Sequence, residues 1–188
     1  MVSGASILAV ALLALAATGC GSTTHSAAPS TGAVNSAFQG SPPPLAALHS
    51  QANQLLAGGS AAFKARLASL HGYPVVVNKW ASWCGPCKTE FPAFQRAAVA
   101  FGRQVAFIGV NGKDHNPAAA AFLHEFPVTY PSYADPSENI ARSIQAATFY
   151  PMTVFFNRQG QSVFVHAGPY LNASALEKDI RFYVLSGK

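Results

Sequence analysis

The run Pro74-Val75-Val76-Val77-Asn78-Lys79-Trp80, followed at once by Ala81-Ser82-Trp83-Cys84-Gly85-Pro86-Cys87, constrains this chain more than any other stretch. Its first part is β-branched and nearly continuous in apolar residues, the pattern of a central strand covered on both faces. From Cys84 the pattern suits a helix running to about Phe101, with Pro86 in its first turn, where a missing N–H costs nothing. Pro92 falls inside that helix and predicts a kink. Two thiols thus stand one helical turn apart where a buried strand hands over to a helix. Taken alone, the pair is also compatible with half a zinc site or an inert structural pair.

The flanking sequence continues the alternation. Ser60 is a candidate cap for a helix carrying Phe63, Leu67 and Leu70 at i, i+4 and i+7, and Gln54-Leu55-Leu56 before it suits a short edge strand. Residues 104–110 read as a strand and 128–133 as a short extended piece, with a helix opened by Asn116-Pro117 between them. Asp135-Pro136-Ser137-Glu138 reads as the start of a helix burying Ile140, Ile144 and Ala147. Met152–Phe156 and Gln161–His166 flank a turn-sized break and predict a β-hairpin. Ser174-Ala175-Leu176-Glu177 matches a capping box for a closing helix with Leu176, Ile180, Tyr183 and Val184 on its apolar face. Asn172-Ala173-Ser174 matches a glycosylation sequon by pattern only and is read as part of that helix start.

Ahead of this lies a different kind of sequence. Residues 6–17 form an apolar run too short to span a bilayer, which needs about 20 residues, and read as the core of an export leader. Ala17-Thr18-Gly19-Cys20 after it resembles the lipobox of bacterial lipoproteins, with Cys20 as the lipidated residue, although Met1–Ala5 carries no Lys or Arg. The expected organisation is a leader over 1–19, a flexible Ser/Ala/Pro-rich tether over 20–49 and a folded domain over 50–188. His25 and His49 are expected to be solvated. The net charge of +5 comes from scattered basic residues with no Lys/Arg run, so no nucleic-acid partner is expected. Of the 3 cysteines, lipidation of Cys20 would leave Cys84 and Cys87 as the one pair. A disulfide across so short a loop removes little unfolded-chain entropy, so a purely structural role is a poor reading.

Residues 75–92, Val-Val-Val-Asn-Lys-Trp-Ala-Ser-Trp-Cys-Gly-Pro-Cys-Lys-Thr-Glu-Phe-Pro, closely resemble the thioredoxin superfamily, nearest to membrane-tethered thiol-disulfide oxidoreductases of the TlpA and ResA kind. The resemblance extends over roughly 54–186. It implies an α/β thioredoxin-like fold with a central mixed sheet of four to five strands flanked by helices. Cys84, at a helix N-terminus, is the expected nucleophile and Cys87 the resolving thiol. Gly85 and Pro86 lie between them, Gly85 permitting close approach of a partner backbone, and Trp83 is expected to offer a flat apolar contact. Trp80 is assigned to the core.

Thioredoxin has a buried Asp where this chain has Asn78, and an amide takes no proton at neutral pH. Glu90, one turn after Cys87, matches the acid of TlpA- and ResA-like proteins and is the candidate proton acceptor for Cys87, its pKa raised by desolvation. Lys79 departs from the family, which has an aromatic there. On a buried strand it must snorkel or find a carboxylate, and pairing with Glu90 would lower that acid's pKa. The resemblance places a cis-proline at Pro151, with Tyr150 presenting its backbone to an extended substrate segment.

These features imply an extracytoplasmic thiol-disulfide oxidoreductase, lipid-anchored on the outer face of a bacterial cell membrane or secreted. It is expected to act as a monomer that reduces disulfides of exported proteins such as apocytochrome c, drawing electrons from a membrane thiol donor. No cofactor beyond the Cys84–Cys87 pair and no metal are expected. A disulfide-forming oxidase or isomerase is the near alternative, and a metal-delivery module using both thiols is the alternative of another class. His115, His124 and His166 show no ligand spacing and are read as surface or satisfied residues.

Overall fold

The computed structural model of the chain describes Met1 and residues 30–186, so the leader, Ala17–Cys20 and His25 lie outside the described residues. Two short helices come first, α1 (Thr31–Phe38) and α2 (Pro43–His49). The chain then alternates through β1 (Leu55–Leu56), α3 (Gly59–Ser69), β2 (Val75–Trp80), α4 (Gly85–Phe101), β3 (Ala106–Gly112), α5 (Asn116–Glu125), β4 (Ser132–Asp135) and α6 (Asn139–Ser143). A hairpin of β5 (Met152–Phe156) and β6 (Ser162–Ala167) and a helix α7 (Ala173–Asp179), prolonged as a π-helical segment over Ile180–Leu185, complete it.

The strands form one mixed sheet in the order β1-β4-β3-β2-β5-β6. β1, β4, β3 and β2 run parallel, and β5 and β6 are antiparallel. The sheet therefore has six strands where four to five are expected, because both short extended pieces pair at its edge. Every residue of β2 is buried, as an interior strand requires.

Period-2 alternation along β2 sorts the molecule into two layers. Val76 and Trp80 point into a core with Cys87, Phe91 and Phe94 of α4, Phe122 of α5 and Leu176 of α7. Val75 and Val77 point the other way, into a core with Leu45 and Leu48 of α2, Phe63 of α3 and Ile140 of α6. Asn78 and Lys79, successive residues on this strand, consequently face opposite layers.

The tether expectation fails over residues 31–49. These are helical, and Leu45 and Leu48 are fully buried. Pro43 and Pro44 open α2, where proline is tolerated, so a proline-rich stretch that looks unstructured is a helix start. His49, expected to be solvated, stacks on Phe38 at 3.7 Å, and burial lowers its pKa.

Helix starts also differ in detail. Gly58, in the left-handed region at φ 103°, caps α3 in place of Ser60, and His115 rather than Asn116 precedes α5. Asp135 does cap α6, but at a distance, its carboxylate accepting from the N–H groups of Ile140 and Ala141. Asn172 caps α7 through Ala175 N–H, which makes Ser174 an interior residue. α4 continues through Pro92 as one helix.

Candidate active site

β2 delivers the chain into a short turn that ends on Cys84, the N-cap of α4, with Pro86 in the first turn. Cys84 and Cys87 are joined by a disulfide, with Cα atoms 5.2 Å apart. The Cys87 N–H donates to Cys84 Sγ at 3.1 Å. This orphan N–H, together with the positive end of a 17-residue helix, is positioned to stabilise negative charge on Cys84 sulfur once the disulfide opens. Cys84 is 3% exposed and Cys87 fully buried, so the first cysteine is the one an incoming disulfide can reach. At Gly85 a Cβ would meet nothing within 4 Å, so the space beside the thiol is open to a partner.

On the α4 side, Glu90 is fully buried, as the expected desolvation of this acid requires. Burial raises its pKa to about 8, against the N–H of Tyr170, which donates to Oε2 at 3.3 Å, and the nearby Asn78 amide, both of which favour the anion. The Asn78 amide lies near both Glu90 and the buried Tyr130 hydroxyl, yet none of these groups meets hydrogen-bond geometry with another: both polar atoms of the Asn78 amide, Glu90 Oε1 and Tyr130 Oη are buried without partners among the described residues. An ionised Glu90 is therefore poorly solvated in this cluster. A carboxyl with a pKa near neutrality, one turn from the buried thiol, is chemically suited to exchange a proton with it.

Lys79 does not pair with Glu90. It faces the opposite layer, where its Nζ lies 2.8 Å from Glu138 Oε1, 3.1 Å from the Phe149 carbonyl and 3.5 Å from the centre of the Tyr150 ring. Burial pulls the Lys79 pKa down and Glu138 opposes it. Burial likewise opposes ionisation of Glu138, but donors from Lys79, Tyr150 and Lys113 outweigh it and hold its pKa at about 2. A carboxylate, a carbonyl and a ring face all favour the ammonium, so the pair is charged.

The peptide bond Tyr150–Pro151 is cis, in agreement with the expectation, and the Pro151 carbonyl accepts from Gly168 N–H. The Tyr150 ring packs against Trp83 at 4.7 Å between centroids, which brings this loop beside Cys84. Trp83, next to Cys84, is 57% exposed, and Phe149, two residues before Pro151, is 59% exposed. Trp80 is buried between Phe91 and Phe122.

Sequence reasoning missed what holds the Trp83 turn. Trp83 Nε1 donates to the Lys113 carbonyl, and Asp114 accepts from Ser82 N–H and Oγ–H, Asn111 and the N–H of His115. Burial of Asp114 favours its neutral form, and these four bonds outweigh that and lower its pKa. The signal available was Asn111-Gly112-Lys113-Asp114, a polar stretch at the end of a buried strand. His115 and His124 are exposed, and His166 stacks on Tyr170 at 4.1 Å. A cavity of about 190 Å³ between α4 and the Glu125–Pro127 segment includes neither cysteine.

Comparison with known proteins agrees with this geometry. The chain is 41% identical over 63 residues to the thiol:disulfide interchange protein DsbE of Pseudomonas fluorescens biotype C, covering 34% of each chain. It is 30% identical over 103 residues to the thiol-disulfide oxidoreductase ResA of Bacillus subtilis strain 168, covering 54% of this chain and 57% of that one. Alignments thus span about a third to three fifths of these relatives' lengths. Among solved structures, a secreted Mycobacterium tuberculosis disulfide oxidoreductase homologous to E. coli DsbE superposes with a TM-score of 0.51 at 26% identity, covering 61% of this chain and 83% of that one. The profile of the AhpC/TSA family matches residues 51–163, and with a thioredoxin-like sheet carrying Cys84 and Cys87 at the head of α4, the chain belongs to that family.

Proposed function

We propose that this protein is a thiol-disulfide oxidoreductase that works outside the cytoplasm and reduces disulfides in exported polypeptides. The observation that carries the reading is the Cys84–Cys87 pair at the N-terminus of α4, with Cys84 at the rim, Cys87 buried and Glu90 buried one turn beyond. In the reduced protein the Cys84 thiolate attacks a substrate disulfide. A bond forms from Sγ to one substrate sulfur, the substrate S–S bond breaks, and the other substrate sulfur leaves as a thiolate. Cys87 then loses its proton to the Glu90 carboxylate and attacks Cys84 Sγ. The remaining substrate sulfur leaves, two electrons have passed to the substrate, and the Cys84–Cys87 disulfide is restored. Trp83, Gly85, Pro86, Tyr150 and Pro151 form the surface on which the substrate segment lies.

The names of the DsbE and ResA relatives support the chemistry, and the secreted mycobacterial structure supports both the chemistry and the compartment. An export leader with lipidation of Cys20 supplies the anchor, a membrane thiol donor the electrons, and apocytochrome c is a substrate of the right kind. The protein acts as a monomer, with the dithiol as its redox group.

Expression of a Cys87→Ser variant in the native compartment tests this reading. It should accumulate mixed disulfides between Cys84 and exported proteins, identified after non-reducing capture. A trap that holds no polypeptide would overturn it.

A further inference from the structure

Three donors converge on one buried carboxylate, that of Glu138, in the layer opposite the α4 side. Glu138 Oε1 accepts from Lys79 Nζ at 2.8 Å and Tyr150 Oη at 2.7 Å, while Oε2 accepts from Lys113 Nζ at 3.0 Å. Glu138 itself is held at φ 54°, a left-handed conformation that a glutamate adopts only where its surroundings dictate it. The backbone of β3 makes room for the arrangement: a Cβ at Gly112 would come within 2.4 Å of Tyr150 Oη and 3.4 Å of Lys79 Cε.

The contacts of Lys79 and Glu138 have one destination. Lys79 grips the Phe149 carbonyl and lies over the face of Tyr150, and Glu138 takes the Tyr150 hydroxyl. These are the two residues before cis Pro151, and Tyr150 in turn packs on Trp83, the neighbour of Cys84. Lys113 closes the ring, its Nζ on Glu138 and its carbonyl accepting from Trp83 Nε1. A single electrostatic node thereby fixes both walls of the rim, the Trp83 turn and the Phe149–Pro151 segment.

Stability alone explains this poorly. A buried ion pair typically stabilises no better than well-packed apolar side chains of the same volume, because desolvation offsets the Coulomb attraction. What it adds is direction, since a carboxylate with three donors admits few placements of the groups that supply them. The segment so placed begins at exposed Phe149 and packs through Tyr150 on exposed Trp83.

We propose that Glu138 and Lys79 are positioning residues that hold Phe149–Pro151 as a preformed edge for an extended polypeptide segment with an apolar side chain near its disulfide. This rests on the oxidoreductase reading and deepens it. Neither residue touches the reacting sulfurs, so their effect falls on docking of a chain-like disulfide and leaves the intrinsic reactivity of Cys84 alone. Ordering costs not met in advance by the protein are met at binding, and reappear as weaker apparent affinity.

The test compares the reduction of insulin, a polypeptide disulfide, with that of 5,5′-dithiobis(2-nitrobenzoate), which needs no extended edge. Glu138→Gln should raise the KM for insulin roughly five- to tenfold, with kcat and the small-disulfide rate within about twofold of wild type. Because this variant leaves Lys79 buried without an anion, Lys79→Met combined with Glu138→Gln is measured alongside. The double variant removes both charges and should remain folded by circular dichroism, with the same rise in KM. A folded double variant with wild-type KM, or one whose two rates fall in parallel, overturns the positioning role alone. Wild-type protein that reacts with the small disulfide but reduces no insulin overturns the oxidoreductase reading and this inference with it.

Discussion

Replacing Glu90 by Gln should change how stability depends on pH, and the sign follows from the site. The carboxyl is fully buried, receives one N–H from Tyr170 and leaves Oε1 without a partner among the described residues. Its pKa rises from 4.5 in the unfolded chain to about 8 in the folded protein. Between those values the folded state binds a proton that the unfolded state has released. Stability contributed by the neutral acid is therefore fully present below pH 4.5 and is lost as pH rises through the window to about 8. At about 1.4 kcal/mol per pH unit, the interval from 4.5 to about 8 amounts to roughly 5 kcal/mol as a ceiling, since local opening that hydrates Glu90 limits the loss. Gln keeps the shape and takes no charge, so the variant should match wild type near pH 4.5 and exceed it in stability by a few kcal/mol at pH 9. Urea unfolding of the oxidised protein at several pH values measures this. Burial lowers the pKa values of His49 and His166 as well; the His49 contribution cancels in the difference between the two proteins, and the comparison is repeated in a His166→Gln background because His166 stacks on Tyr170, which donates to Glu90. Parallel stability profiles would refute the buried neutral acid, and with it the proton-acceptor role.

Two further substitutions test the architecture. Leu48→Ala removes a fully buried side chain from the layer behind β2 and should cost about 2–5 kcal/mol in chemical unfolding, whereas a flexible segment at 31–49 would give a negligible change. Gly109→Ala would place a Cβ 2.1 Å from Ser132 Oγ, which accepts from Trp80 Nε1 at 3.1 Å, so it should destabilise by about 1–3 kcal/mol and shift tryptophan fluorescence; an unchanged melt would contradict the tight β3–β4 contact.

The parts legible in the sequence are those governed by local pattern. A β-branched run followed by Cys-Gly-Pro-Cys specified β2, the head of α4 and the placement of the two thiols, because strand and helix periodicities are properties of neighbouring residues. The hairpin and the apolar faces of α3 and α7 follow for the same reason. The burial of Glu90 was legible too, through its spacing from Cys87. Even the separation of Lys79 from Glu90 was available, since Asn78 and Lys79 must point to opposite faces of a strand and Asn78 lies on the α4 side.

What local pattern could not supply is the identity of partners distant in the chain. α1 and α2 went unseen because Ala, Ser and Pro dilute their apolar period, and only Leu45 and Leu48 mark the buried face. That Glu138 takes Lys79, that Asp114 ties down Ser82, and that the Tyr130 hydroxyl is buried near Glu90 depend on β4 and β5 lying on either side of the β3–β2 pair. The sequence alone determined a redox dithiol at the end of a central strand. The tertiary structure decided which charges surround it: burial sets the pKa of a carboxyl and the partner of a lysine, and burial is a property of the assembled layers.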